Sequence, residues 1–276
     1  MDNINGNNDE NRQPISVLSD NHHNFNFEKL KSEPKNVLCM NEYVGHISSS
    51  DDLILYNEND LLYLIDYNGS TQRNIEWKNG CIYDICWSSF LNKFIILCLK
   101  GIFTVDPCRW ESPQIVKVKD CLDKCACRDQ TLLVTSYSCG SIVEECSLTD
   151  WKIIKKWTLF DYDTDEQRIK CIRLLNDTRV VLTVNDRFEI RDRASLTTLI
   201  NYIRIGQIPT SIACLPNNQS IVICNYLKTF TVVSEKGEKV TTIKYDDIVY
   251  GIKYLTDKCL LAVRTMDELR LYDLSN

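Results

Sequence analysis

The sequence predicts an all-β fold, a six-bladed β-propeller of four-stranded antiparallel blades closed by an N-terminal strand. Three observations lead to this prediction: short apolar runs recur in six groups, the runs are rich in β-branched and aromatic residues, and many are apolar at consecutive positions. Short runs of this composition are typical of strands rather than helices. Their period of roughly 38–47 residues matches one four-stranded propeller blade.

Each repeat unit is predicted to contain four strands, which lie side by side in order from the centre of the ring to its rim. The second and third strands are the most apolar, whereas the outer strand mixes Lys, Arg and Thr with single apolar residues. Charged side chains on an outer strand discourage pairing with other molecules. The predicted inner strands are 44–47, 82–87, 122–127, 169–174, 211–215 and 249–254; the second strands are 53–56, 94–97, 132–135, 180–183, 221–224 and 260–263; the third strands are 61–65, 102–105, 141–143, 188–190, 230–233 and 269–271; the outer strands of the first five units are 72–77, 114–118, 152–159, 198–205 and 239–244.

Consecutive apolar residues distinguish this fold from a two-layer sandwich. A strand is apolar at successive positions when both of its faces are buried. Neighbouring blades cover both sides of a propeller blade, whereas a sandwich leaves one face of most strands in water. The sixth unit ends without an outer strand, and residues 35–40 precede the first inner strand at the spacing of an outer strand. We therefore expect residues 35–40 to pair with residues 269–274 and to close the ring.

Composition divides the chain into a polar tail at residues 1–33 and a single propeller domain at residues 34–276. The tail is poor in apolar residues, so it is predicted to be disordered and to contribute little to stability. The net charge of −6 and the lack of long Lys/Arg runs argue against nucleic-acid binding. Neither a secretory signal nor a membrane-spanning apolar segment is evident, so we expect a cytoplasmic protein without membrane contact. We also expect the protein to be a monomer by itself.

The third strand of several units ends in a residue pair that closes with Asp, at Asp66, Asp106, Asp192 and Asp273. These pairs resemble a degenerate form of the Trp-Asp dipeptide of WD40 repeats, and the resemblance covers roughly residues 35–276. It implies a WD40-like ring that holds other proteins or peptides, usually on its narrow face. In WD40-like rings, the narrow face is built from the turns between second and third strands and from the loops that join the blades.

Candidate catalytic groups are few. His46 is the one histidine outside the predicted tail, and we interpret it as a packed or channel-lining residue rather than a catalytic base. Neither a phosphate-binding Gly-rich loop nor a dinucleotide fingerprint occurs in the sequence. We therefore predict that the protein is not an enzyme.

Two segments are candidate metal sites. The densest thiol cluster lacks the paired knuckles that zinc requires, so its members are interpreted as core residues. These thiols are Cys121, Cys125, Cys127, Cys139 and Cys146. The acidic segment 161–166 carries Glu166 and Ile172 where a calcium loop needs Gly and Glu. We expect no metal and no other cofactor.

The leading hypothesis is a non-catalytic scaffold that presents narrow-face loops to a protein or peptide partner. Aromatic and Arg side chains contribute most to interfaces, because they bury a large area at low entropic cost or make forked hydrogen bonds. The candidate partner-binding residues are Tyr137, Arg187, Tyr226, Lys228 and Arg264. Tyr137 and Tyr226 fit a second interpretation equally well, in which they cap the blade core with their hydroxyls in water.

The alternative hypothesis is an enzyme or small-ligand binder that uses the central channel. Such propellers usually place His, Asp or Glu at the starts of their inner strands. The predicted starts in this chain are mostly apolar, which disfavours the alternative. They are Val44, Ile82, Leu122, Ile169, Ser211 and Val249.

Overall fold

Six four-stranded antiparallel sheets make up the structure, a computed structural model that describes residues 25–40, 45–111, 114–117, 122–136, 142–159, 168–206 and 209–276. The predicted fold class is confirmed. Blade 1 contains β2 (Ile47–Ser49), β3 (Leu53–Glu58), β4 (Leu61–Asp66) and β5 (Thr71–Glu76); blade 2 contains β6 (Ile82–Ser88), β7 (Lys93–Cys98), β8 (Gly101–Val105) and β9 (Gln114–Val116); blade 3 contains β10 (Leu122–Arg128), β11 (Thr131–Ser136), β12 (Ile142–Ser147) and β13 (Ile153–Thr158). Blade 4 contains β14 (Ile169–Leu174), β15 (Arg179–Val184), β16 (Arg187–Asp192) and β17 (Leu199–Arg204); blade 5 contains β18 (Pro209–Cys214), β19 (Ser220–Cys224), β20 (Thr229–Val233) and β21 (Lys239–Lys244); blade 6 contains β22 (Gly251–Leu255), β23 (Leu260–Arg264), β24 (Glu268–Asp273) and β1 (Asn36–Cys39).

The six inner strands surround a central channel. Each inner strand packs against the inner strand of the next blade, and β22 of the last blade packs against β2 of the first. Hydrogen bonds join neighbouring inner strands, as where the Ile252 amide donates to Ser211 Oγ at 3.3 Å and Ser49 Oγ donates to the Tyr254 carbonyl at 3.1 Å. The ring is therefore closed on itself.

Burial follows the predicted gradient from centre to rim. The second strands β19 and β23 are buried at every position, whereas the outer strands β5 and β13 are exposed at most positions. Apolar side chains on both faces of a second strand pack against the two neighbouring blades, which explains their consecutive apolar residues.

Blade 6 takes its outer strand from the opposite end of the chain, as predicted. β1 pairs antiparallel with β24, and Asn36 lies opposite Leu271 while Cys39 lies opposite Glu268. The Lys35 amide extends the pairing by donating to the Leu271 carbonyl at 2.8 Å. The pairing covers the outer edge of β24, which an open array would leave exposed.

Residues 25–33 differ from the predicted polar tail. Phe27–Lys31 forms a short 3-10 helix, and the Asn26 amide donates to the Leu274 carbonyl at 3.0 Å. Leu30 is only 2% exposed and belongs to the apolar core shared by blades 5 and 6, with Phe25 and Phe27 packed against it. Three apolar side chains near the end of a polar stretch thus anchor it, and the predicted boundary at residue 33 lies too late. Residues 1–24 of the predicted tail lie outside the described residues.

The inner strands of blades 2 to 5 are irregular near their starts. Their pairing with the second strand shifts register between Ile82 and Asp84 in blade 2 and between Leu122 and Cys125 in blade 3. The same shift occurs between Ile169 and Cys171 in blade 4 and in the corresponding part of blade 5. Extra residues in one strand of a pair form a β-bulge, which turns side chains away from the regular alternation. In the described part of the chain, no helix has the length and apolar character to span a membrane.

Candidate functional site

Turns between second and third strands share one face of the ring with the connections that enter each inner strand. Two contacts show this arrangement: the His46 amide donates to Asn57 Oδ1 at 2.6 Å, and the Tyr250 amide donates to the Arg264 carbonyl at 2.8 Å. This surface corresponds to the predicted narrow face. It carries two features of functional interest, an apolar patch and the mouth of the central channel.

Tyr226 and Lys228 lie on the narrow face, on the turn between β19 and β20. Tyr226 is 76% exposed, so it does not cap the blade core. Lys228 is exposed, and its Nζ donates to the Asp246 carbonyl at 3.2 Å on the connection into blade 6. Both predicted residues are accessible to a partner.

Arg187 is half-buried at the start of β16. Its Nη2 lies 3.3 Å from Glu189 Oε1, and its guanidinium lies 5.7 Å from the ring centre of Tyr202. These contacts orient the side chain and leave part of it exposed. Tyr137 lies outside the described residues, so its predicted role stays a prediction.

Arg264 corrects the sequence prediction, because its side chain is 0% exposed. Its Nη1 donates to the Asn57 carbonyl at 3.3 Å, and its guanidinium lies 5.8 Å from the ring centre of Tyr56. Arg264 is the last residue of β23 rather than a turn residue, so it points into the ring and joins blade 6 to blade 1. A side chain in this position cannot be a surface contact.

Three further apolar residues that were not predicted lie on the narrow face in blades 5 and 6, as Tyr226 does. Leu227 shares its turn, Ile248 lies on the connection into blade 6, and Met266 lies on the turn between β23 and β24. All three are exposed. We call these residues and Tyr226 the apolar patch of blades 5 and 6. The predicted partner-binding residues on these turns are Tyr, Arg and Lys, whereas these three are aliphatic or Met.

The channel mouth on the narrow face opens into a cavity of about 280 Å³. Its lining is rich in charge, although the predicted starts of the inner strands are mostly apolar. The charged lining residues are Asp84, Asp123, Lys124, Arg168, Lys170, Arg173 and Lys253. The bulges explain part of the difference, because Asp123, Lys124 and Lys170 are residues that the register shifts leave without a pairing partner.

Asp84 joins three inner strands at the channel. Its Oδ2 accepts hydrogen bonds from the Cys125 amide at 3.0 Å and from Arg173 Nη1 at 3.3 Å, and its Oδ1 accepts one from the Ile85 amide at 2.9 Å. Burial opposes the ionisation of Asp84, but Arg173 and the other nearby cations outweigh it and hold the pKa of this carboxyl well below its usual range.

Asp123 forms the second charged group of the channel mouth. Its Oδ2 accepts from Arg168 Nε and Nη2, both at 2.8 Å, and its Oδ1 lies 3.0 Å from Lys124 Nζ. Forked contacts of this kind fix both the arginine and the carboxylate. Lys124 Nζ also donates to the Tyr83 carbonyl at 3.2 Å, which links blade 3 to blade 2.

His46 lines the channel mouth, in agreement with one of its two predicted positions. Burial lowers the pKa of His46 from 6.5 to about 4, although Asp84 acts in the opposite direction. The imidazole is therefore neutral at neutral pH.

The lowered pKa of His46 makes the stability of the protein dependent on pH. Between pH 6.5 and about 4, the unfolded chain binds a proton at His46 that the folded chain does not, so acid favours unfolding. We expect the free energy of unfolding to fall by up to about 2 kcal/mol more in the native protein than in a His46→Gln variant between pH 7.5 and 5. Urea unfolding at both pH values measures this, and equal pH slopes would contradict it. His22 and His23 are present in both proteins, so they cancel from the difference.

Cys125 and Cys127 lie beside Cys86 of the neighbouring blade. Hydrogen bonds with Cys125 and Cys127, together with burial, raise the pKa of the Cys86 thiol. Cys125 and Cys146 are buried in an apolar core. Within the described ranges, no group of three His, Cys, Asp or Glu residues is placed to hold a metal ion. Cys121, Cys139 and the acidic segment 161–166 lie outside those ranges.

No family model matches the sequence, and no curated protein matches it. Many solved structures match the fold. One is a chain from a crystal structure of the mitotic checkpoint complex, with a TM-score of 0.68 and 11% sequence identity over 100% of this chain and 99% of that chain. At this identity the likeness shows a common β-propeller fold.

Proposed function

We propose that this protein is a non-catalytic, cytoplasmic WD40-like scaffold that binds a protein or peptide partner on the narrow face. The apolar patch of blades 5 and 6 is the observation that carries the proposal. Exposed apolar side chains grouped on one surface are typical of interaction sites, whereas isolated ones are common everywhere. The matched chain from the mitotic checkpoint complex is itself part of a protein assembly, which agrees with this role.

Tyr226 is the proposed centre of the interface. A tyrosine offers a large contact area with few rotatable bonds, so burying it against a partner costs little side-chain entropy. Leu227 is adjacent to it in the chain, Ile248 and Met266 add exposed apolar surface on the same face, and Lys228 adds an exposed cation. This arrangement fits a partner segment that presents apolar side chains to the patch.

Substitution Tyr226→Ala is expected to weaken partner binding by about 2 kcal/mol or more, a loss of roughly 30-fold in affinity. The ring should keep its thermal stability, because the Tyr226 side chain is mostly exposed. Affinity purification from cells identifies the partner, and titration of the purified pair then measures the affinity of each variant.

Phe90→Ala is the matched control. Phe90 is an aromatic residue that is 45% exposed on the turn between β6 and β7, on the face opposite to the patch. We expect this variant to bind the partner as the native protein does. If Phe90→Ala abolishes binding and Tyr226→Ala does not, the narrow face is the wrong surface.

A further inference from the structure

The central channel carries an excess of positive charge in an acidic protein. Its described lining at the narrow-face mouth includes two carboxylates, Asp84 and Asp123, but five cationic side chains. His46 adds no charge at neutral pH, because burial lowers its pKa to about 4. The whole chain has a net charge of −6, so this local excess is opposite in sign to the rest of the molecule.

The two carboxylates are already engaged by other cations. Asp123 is held by Arg168 and Lys124, and Asp84 is held by Arg173 and two backbone amides. Lys253 has no hydrogen-bond or ion-pair partner among the residues that the structure describes. Burial and the nearby Arg173 lower its pKa, although Asp84 acts in the opposite direction.

Lys253 occupies a position that a channel ligand can reach. It lies on β22 and lines both the narrow-face cavity and the cavity at the opposite end of the channel. Arg173 lines the same two cavities and makes its protein hydrogen bonds through Nη1. Arg173 Nε is buried and has no hydrogen-bond partner among the described residues, and the Arg173 charge acts on Lys253.

Lys253 and Arg173 both act on one carboxylate, Asp84, and their charges are unfavourable to each other. A bound anion would offset that repulsion. The cavity of about 280 Å³ lies just below the usual range for drug-sized ligands, so it suits a compact group. A phosphate carries two charges on a small volume, and forked arginine donors match its oxygens.

We propose that the central channel binds a compact phosphate group between Lys253 and Arg173. The group belongs either to a free phosphate compound or to a phosphorylated side chain of a peptide. The site goes beyond the proposed scaffold function and does not depend on the apolar patch.

Isothermal titration of the full chain with inorganic pyrophosphate and with a phosphoserine peptide tests this site. We expect at least one probe to bind with one-to-one stoichiometry. Lys253→Met should weaken that binding at least tenfold. Lys236→Met is the matched control, because it removes the same charge from an exposed turn between β20 and β21, and it should bind as the native protein does. The probe that binds identifies the source of the phosphate group.

Thermal melting without ligand separates binding from folding. Lys253→Met removes one of two cations that act on Asp84, and Arg173 remains to pair with that carboxylate, so the melting temperature should equal or exceed that of the native protein. Lys253→Gln provides a second variant that keeps a polar side chain. Binding of neither probe to the native protein, or equal binding to the Lys253 and Lys236 variants, overturns the proposal. Tyr226→Ala should bind pyrophosphate normally, so failure of one proposal is distinguishable from failure of the other.

Discussion

A protein without residues 1–40 is expected to lose the cooperative folding of the ring. The deletion removes β1, which pairs with β24, and the buried side chains of Leu30 and Met40. Loss of one large buried apolar side chain costs about 2–5 kcal/mol, and the total stability of a domain is about 5–15 kcal/mol. The combined loss is therefore comparable with the stability of the whole ring. Thermal melting followed by circular dichroism and by tryptophan fluorescence measures it.

Two shorter deletions provide the controls. Removal of residues 1–24 should leave the melting temperature nearly unchanged, because that segment is polar and has little apolar area to bury. Removal of residues 1–33 should be intermediate, because it deletes Leu30 but keeps β1. A melting temperature for the longest deletion that equals that of the shortest would show that β1 does not hold the ring closed.

Substitution Asp84→Ala is expected to destabilise the ring by about 3–5 kcal/mol. The change leaves the buried guanidinium of Arg173 without its carboxylate and leaves the Cys125 amide without its acceptor. Asp177→Ala removes an exposed carboxylate that pairs with Arg128 and should change stability by less than about 0.5 kcal/mol. Urea unfolding of the purified variants measures both changes.

The double variant Asp84→Ala/Arg173→Met sharpens this test. Removing both members of a buried ion pair costs less than removing one, because the guanidinium is no longer left without its carboxylate. We expect the double variant to regain part of the stability lost in Asp84→Ala. Equal stability of Asp84→Ala and Asp177→Ala would show that Asp84 does not join the inner strands.

The fold could be predicted because its main signal is local. Second strands such as β19 and β23 are buried on both faces, and strands of this kind have apolar residues at consecutive positions. The closing strand β1 could be predicted because its spacing from the first inner strand matches that of the other outer strands. Neither inference needs knowledge of which residues face each other across a strand pair.

Part of the channel lining could not be predicted, because its side chains depend on strand register. Ile82, Leu122 and Ile169 are paired and follow the apolar pattern, whereas Asp123, Lys124 and Lys170 fall within the bulges. A bulge is defined by the partner strand, so a single sequence carries no direct signal for it. The prediction for Arg264 was wrong for a related reason. β23 extends one residue further than predicted, which places this side chain in the core.

Blade 6 also imposes an order on how the protein is made. The strands of blades 1 to 5 are each contiguous in the chain, so each blade can assemble once its own segment has left the ribosome. β1 is synthesised before all of them, yet its partner β24 is synthesised last. The nascent chain therefore keeps β1 unpaired throughout synthesis of the ring. Pairing of two distant segments is slow relative to local pairing, so ring closure should be the late step in folding.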